Sequence, residues 1–112
     1  MVIYQELEKR MRNGQKMVLV TAVEKKGEGP VEVGKKMLVF GEDAIGTVGG
    51  GALEYEAREE AKRLLESKKS KTIEYYLNEG KVIKDAKTLP MVCGGVVTLF
   101  FEYIGAMEDI FN

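Results

Sequence analysis

The sequence predicts an α+β domain: a single compact unit with one mixed, mostly antiparallel sheet of about five strands and two main helices packed on it. Three observations lead there. Hydrophobic residues make up 45% of 112 positions, a globular share in a chain of single-domain length. Two stretches carry apolar residues at helical spacing, and several shorter ones alternate or run apolar with β-branched side chains. Glycine-bearing turns separate these stretches.

Residues 2–13 read as the first helix. Ile3, Leu7 and Met11 recur every four positions, and Lys9, Arg10 and Arg12 place cations in the last turn, where they suit the helix dipole. Asn13-Gly14 is a good stop. Residues 17–23 (MVLVTAV) are nearly all apolar and read as a central strand buried on both faces. Residues 24–34 form a charged loop containing Pro30 and glycines 27, 29 and 34.

That loop approaches the phosphate-binding GxxxxGK[ST] pattern at Gly29–Lys36 but does not satisfy it. The last position is Lys36, which has no hydroxyl for magnesium, and residues 36–40 (KMLVF) read as a strand where the pattern needs a helix. Gly41-Glu42-Asp43 is a turn, so residues 36–40 and 44–48 are expected to form a hairpin. Residues 53–67 form the clearest helix. Leu53, Ala57, Ala61, Leu64 and Leu65 make its apolar face, and Glu54/Arg58 and Glu59/Arg63 stand at i,i+4 spacing, worth roughly 0.2–0.5 kcal/mol each. Residues 72–77 alternate as a strand with one wet face, residues 81–84 can pair back on it, and residues 96–104 form a long final strand. Residues 105–112 can add a helical turn through Met107, Ile110 and Phe111.

Composition excludes several function classes. The formal net charge of −1 argues against a nucleic-acid protein driven by counterion release. The chain has no His, so it lacks the commonest metal ligand and the usual general base near neutral pH. One cysteine, Cys93, leaves no intramolecular disulfide and no CxxC metal site. No apolar run approaches a membrane span, and the N-terminus carries acids where a signal peptide is apolar. The expected setting is cytoplasmic. The Lys/Glu-rich, interspersed charge fits a thermophile, and a small β-containing domain is expected to pair as a homo-oligomer.

The most informative stretch is residues 44–54, a short strand, the glycine turn Gly49-Gly50-Gly51 and a helix start. A helix N-terminus presents unpaired N–H groups, and bare glycines let a ligand approach the backbone. The stretch partly matches GxGxx of the dinucleotide fingerprint, with Glu74 about twenty residues on where the ribose-binding acid falls. Glu54, however, replaces the third, packing glycine. As a structural residue Glu54 stabilises the dipole by roughly 0.3–1 kcal/mol; as a binding residue its paired oxygens can accept from a ligand with adjacent N–H donors, such as a pterin edge. The second special loop is residues 88–95. In it Cys93 precedes Gly94 and Gly95, either as a small buried residue or as a thiol able to meet a soft metal or accept sulfur.

Gly46-Thr47-Val48-Gly49-Gly50-Gly51-Ala52-Leu53-Glu54 and Met91-Val92-Cys93-Gly94-Gly95 resemble, in order and separation, the two hallmark segments of the XdhC/CoxI family. The strand ending Val20-Thr21-Ala22-Val23, the Gly29-Pro30 loop and Gly34-Lys35-Lys36-Met37-Leu38-Val39 fall where that family has similar segments, so the resemblance spans most of residues 17–102. Three departures stand out. Val31 replaces the Arg that follows the loop proline, Glu102-Tyr103 replaces a Glu-Pro, and the chain ends at Asn112 without the C-terminal Rossmann-like domain of larger members.

The resemblance implies an accessory protein that binds molybdenum cofactor and helps its maturation or insertion into a molybdenum hydroxylase, such as xanthine dehydrogenase or a CO-dehydrogenase-like enzyme. The implied partners are that client and a separate Rossmann-domain chain, with neither nucleic acid nor membrane. The expected site joins both loops in one cleft. Gly49, Gly50 and Gly51 offer N–H groups to phosphate or oxo oxygens, Glu54 reads a polar edge, Gly94 and Gly95 leave room, and Cys93 faces molybdenum or its sulfur within about 10 Å of the glycine turn. No catalytic residue is expected. The alternatives are a nucleotide-binding enzyme or sensor using the Gly49–Gly51 turn, and a non-catalytic protein-interaction module.

Overall fold

The computed structural model describes residues 2–27, 31–78, 81–84 and 95–105. Among them the order is α1 (Val2–Arg12), β1 (Met17–Lys26), β2 (Lys36–Phe40), β3 (Asp43–Gly46), α2 (Gly51–Ser67), β4 (Lys71–Asn78), β5 (Lys81–Lys84) and β6 (Val96–Ile104). The strands form one sheet in the order β3-β2-β1-β6-β4-β5. The α+β class stands, with six strands rather than about five, and the sheet is antiparallel throughout rather than mixed. The reason lies in the crossover through α2. It joins β3 to β4, which run the same way, but β2, β1 and β6 lie between them. No two neighbours are therefore parallel.

β1 is the spine, as its apolar run requires. Val18, Val20 and Ala22 face α2, where they share a core with Leu53, Ala57, Ala61 and Leu64 of the helix and with Ile73, Tyr75, Leu99 and Phe101 of β4 and β6. Met17 and Leu19 face the other way and meet Ile3, Leu38 and Phe40, with Leu7 and Met11 of α1 packed alongside. Burying each such side chain contributes about 1.5–3 kcal/mol. The α1 layer is fastened further by Arg10, whose guanidinium stacks 3.6 Å above the Phe40 ring. α1 stops as expected at Gly14, φ 77°. The Gly14 N–H donates to the Met11 carbonyl and the Gln15 N–H to that of Arg10, a Schellman arrangement.

β1 outruns β2. Its pairing with β2 ends at Thr21, whereas its pairing with β6 continues to Lys26 opposite Val96. An irregularity between Ala22 and Glu24 marks the point where β1 leaves β2 behind, and the extra residue, Val23, is 43% exposed. The expected residues 44–48 of β3 shorten to Asp43–Gly46, and α2 starts at Gly51, two residues before the expected position. The helix ends at Lys68, whose N–H still makes the helical bond to the Leu64 carbonyl at 2.8 Å and whose left-handed backbone then turns the chain out of the helix. The i,i+4 pairs expected along α2 are not the ones formed. Glu54 turns to the glycine turn, Arg58 reaches the Glu42 carbonyl, and Arg63 meets Glu60. Each finds a nearer partner outside its own stripe. The proposed helical turn over residues 105–112 lies, beyond Gly105, outside the described residues.

Candidate functional site

The alternating strand directions gather the end of β3, the start of α2 and the start of β6 at one end of the sheet. At Gly46 the chain leaves β3 so closely that a Cβ would run into the Lys36 carbonyl oxygen and come 2.9 Å from Ile3 Cδ1. The Thr47 N–H then donates to that same carbonyl at 3.0 Å. Val48 drops into the core, fully buried, and pins the turn from below. Gly50 has φ 76° and ψ −176°, a backbone region essentially reserved for glycine. A Cβ at Gly50 or Gly51 would meet nothing within 4 Å, so the turn's outer surface is open. Gly49 differs: a Cβ there would lie 3.0 Å from Val31 Cγ2. Val31 is buried among the α2-side core and supports the turn.

Glu54 is committed inside this turn. Its Oε1 accepts the Thr47 hydroxyl and the Gly50 N–H, the latter at 3.3 Å, while Thr47 Oγ1 accepts the Gly49 N–H at 3.1 Å. The carboxylate thus reaches back over the first turn of α2 as a capping acid does. Among the described residues, Glu54 Oε2 and the N–H groups of Gly51, Ala52 and Leu53 take no partner. The arrangement offers donors and one acceptor side by side.

Cys93 and Gly94, with residues 88–92, lie outside the described residues. Gly95 is described: it is buried, and its carbonyl accepts the Leu77 N–H at 3.0 Å. Gly95 shares the sheet end with the glycine turn but stands farther out. Phe100 is level with Thr21, and Thr21 with Lys36, so Gly95 lies about 17 Å beyond that level at strand rise. A Cβ on Gly27 would come 2.9 Å from the Gly95 Cα, and Val31 touches Gly49. Gly27 therefore neighbours one predicted glycine segment and Val31 the other.

Glu74, the acid of the nucleotide alternative, is not near the turn. It lies on β4, four strand spacings or about 19 Å from β3, with its neighbours Ile73 and Tyr75 on the α2 side and its own side chain alternating to the other. A dinucleotide fold needs the strand after the helix beside the first one, and here it is not.

Sequence reading missed two features. Glu60 is 3% exposed in the middle of α2, and its carboxylate gathers Lys84 Nζ at 2.7 Å, Arg63 at 3.2 Å and Lys71 Nζ at 3.8 Å. Burial pushes its carboxyl up, but hydrogen bonds from Lys84 and Arg63 outweigh it and hold the group below the ordinary value. The signal was present, since Glu60 falls on the stripe Leu53, Ala57, Ala61, Leu64. The second feature is a groove of about 360 Å³ that continues the glycine turn along α2, lined by Gly51, Glu54, Tyr55, Arg58, Glu59 and Lys62. Hydrogen bonds that it donates to the Glu59 and Glu42 carboxylates hold the Lys62 ammonium's pKa above its ordinary value. Among the described residues no group of three or more Cys, Asp or Glu could hold a metal ion, and no helix is long and apolar enough to cross a membrane.

An antiparallel sheet covered by a helix on each face, with a glycine turn held by Thr47 and Glu54, defines the class. The sequence model of the XdhC and CoxI family matches residues 10–76, more than half the chain and including that turn. The protein belongs to the XdhC and CoxI family. The crystal structure of a protein described as a xanthine dehydrogenase, from Bacillus halodurans, shares the fold with a TM-score of 0.67 at 21% identity. The match covers 88% of this chain and 29% of that one, so this chain spans under a third of that protein's length. No curated protein matches.

Proposed function

We propose that this domain is an accessory protein that binds molybdenum cofactor and helps its maturation or insertion into a molybdenum hydroxylase. Family membership over residues 10–76 is the observation that carries the reading, because the matched region includes the glycine turn. The turn's chemistry fits the group. Gly51, Ala52 and Leu53 present N–H donors at a helix N-terminus, suited to phosphate or oxo oxygens. Glu54 Oε2 suits the amino and ring N–H donors of a pterin edge. When bound, the cofactor supplies the metal and dithiolene for the client's chemistry; this chain's part is to hold and orient it.

Cys93 is the proposed contact to molybdenum or its sulfur, with Gly94 and Gly95 leaving room beside it. The domain is proposed to act as a single unit in the cytoplasm, as a homo-oligomer, with the client enzyme and a separate Rossmann-domain chain as partners. Its Lys/Glu-rich surface is proposed to reflect a thermophilic setting. Protein isolated anaerobically from a molybdate-grown host should carry stoichiometric molybdenum and pterin. That loading should disappear in Cys93→Ala, and clean apo protein under those conditions would count heavily against the reading.

A further inference from the structure

We infer that the groove along α2, and Tyr55 and Arg58 in particular, is the seat of a planar, donor-rich heterocycle with a phosphate-bearing end. This deepens the proposed function and rests on it. The groove holds about 360 Å³, inside the range of small-molecule sites. Its lining changes chemical character along its length. Glu54 stands at the end nearest the glycine turn with Oε2 unengaged among the described residues. Tyr55 follows, 64% exposed, although it lies on a helix whose other large apolar side chains are turned to the core. Arg58 and Lys62 lie one and two turns farther on.

The two cations are not equivalent. Lys62 is ion-paired to Glu42 at 3.1 Å and to Glu59 at 3.0 Å. Arg58 has no carboxylate partner among the described residues; it touches only the Glu42 carbonyl, at 3.4 Å. Its guanidinium fork remains available for the two-pronged grip that phosphate accepts. An acceptor, an aromatic platform and a cation follow one another over about 6 Å of helix, from Glu54 to Arg58. A ligand laid along this line places its N–H edge on Glu54, its ring against Tyr55 and its anionic end at Arg58. Gly51 forms the open end of the groove, where a Cβ would meet nothing within 4 Å. On this geometry the ligand lies along α2: Glu54 gives specificity for a pterin-like edge, Arg58 gives affinity for its phosphate, and the Gly51, Ala52 and Leu53 N–H groups are left for oxo oxygens.

The test uses the whole chain and molybdopterin released from a molybdenum hydroxylase, with binding followed anaerobically by pterin fluorescence. Tyr55→Leu and Arg58→Gln should each weaken binding about tenfold, as loss of a stacked ring or a charge-assisted pair does. Lys69→Ala, an exposed cation remote from the groove, should leave it unchanged. Circular dichroism checks that both variants fold, and both positions face solvent enough that they should. A phosphate-free pterin probe separates the roles: it should be sensitive to Tyr55→Leu and insensitive to Arg58→Gln. Tight binding by the native chain that neither variant weakens overturns the groove assignment and leaves the proposed function standing. No binding by the native chain overturns both.

Discussion

Glu54 and Glu60 sit less than two turns apart on α2, yet they are held in opposite ways. Glu60 is sealed at 3% exposure under three cations, two of them from β4 and β5, and joins the helix to the far side of the sheet. Glu54 is half-buried at the helix start and, among the described residues, bonded to a hydroxyl and a backbone N–H, with one oxygen left over. One carboxylate is spent on tertiary structure. The other shapes a local turn and keeps capacity for a ligand. Stability and binding are thereby divided between two parts of one helix.

Several substitutions can break or sharpen that contrast. The largest effect is expected at the root of the turn, where Gly46→Ala drives a methyl into the Lys36 carbonyl at φ 84°. Strain and overpacking together should cost about 4 kcal/mol, read as a drop in the urea midpoint. Glu60→Ala should follow at about 2–3 kcal/mol, below the value for a wholly buried pair because Lys84, Lys71 and Arg63 can each turn to water.

Glu60 also sets a pH dependence. Its folded-state pKa lies below the ordinary 4.5, so its contribution is complete above that value and is lost as pH falls through the lower folded value. Urea midpoints measured across that acid range should decline less steeply for Glu60→Gln than for the native chain. An unchanged slope would show that Glu60 is not the group responsible.

Gly50→Ala tests the other region. Its methyl meets nothing, so the cost of about 1–2 kcal/mol comes from backbone strain alone. Its effect on pterin binding should exceed what its stability loss explains, because the methyl stands on the open face. Thr47→Val is the gentlest probe. It removes the hydroxyl that links the Gly49 N–H to Glu54, and should cost about 1 kcal/mol. If Glu60→Gln abolished pterin binding while Thr47→Val and Gly50→Ala left it intact, the assignment of roles to the two carboxylates would be reversed.

Much of the fold was legible because period and punctuation are local properties. Ile3, Leu7 and Met11 marked α1, and the nearly all-apolar run of residues 17–23 marked a strand buried on both faces, which is how β1 sits between α1 and α2 as far as Ala22. The glycine turn was legible as a place where backbone is bare. Glu60 stands on the apolar stripe of α2, which was a signal of burial, but its partners were not legible, because strands from elsewhere bring the lysines to it. Nor was the use of Glu54, whose Thr47 partner lies across a turn that only the glycine conformations close. Nor was the place of Val31, which follows a loop proline in the sequence and which the fold uses as core support for Gly49.

By itself, then, the sequence determined the class of each segment, the positions of the turns and the family, since these depend on side-chain periodicity, on glycine and on short motifs. The tertiary structure decided the order of the strands, the all-antiparallel sheet and which charges meet. Those depend on which surfaces the crossover through α2 brings together, and that choice is made by burial of the whole core rather than by any one stretch of chain.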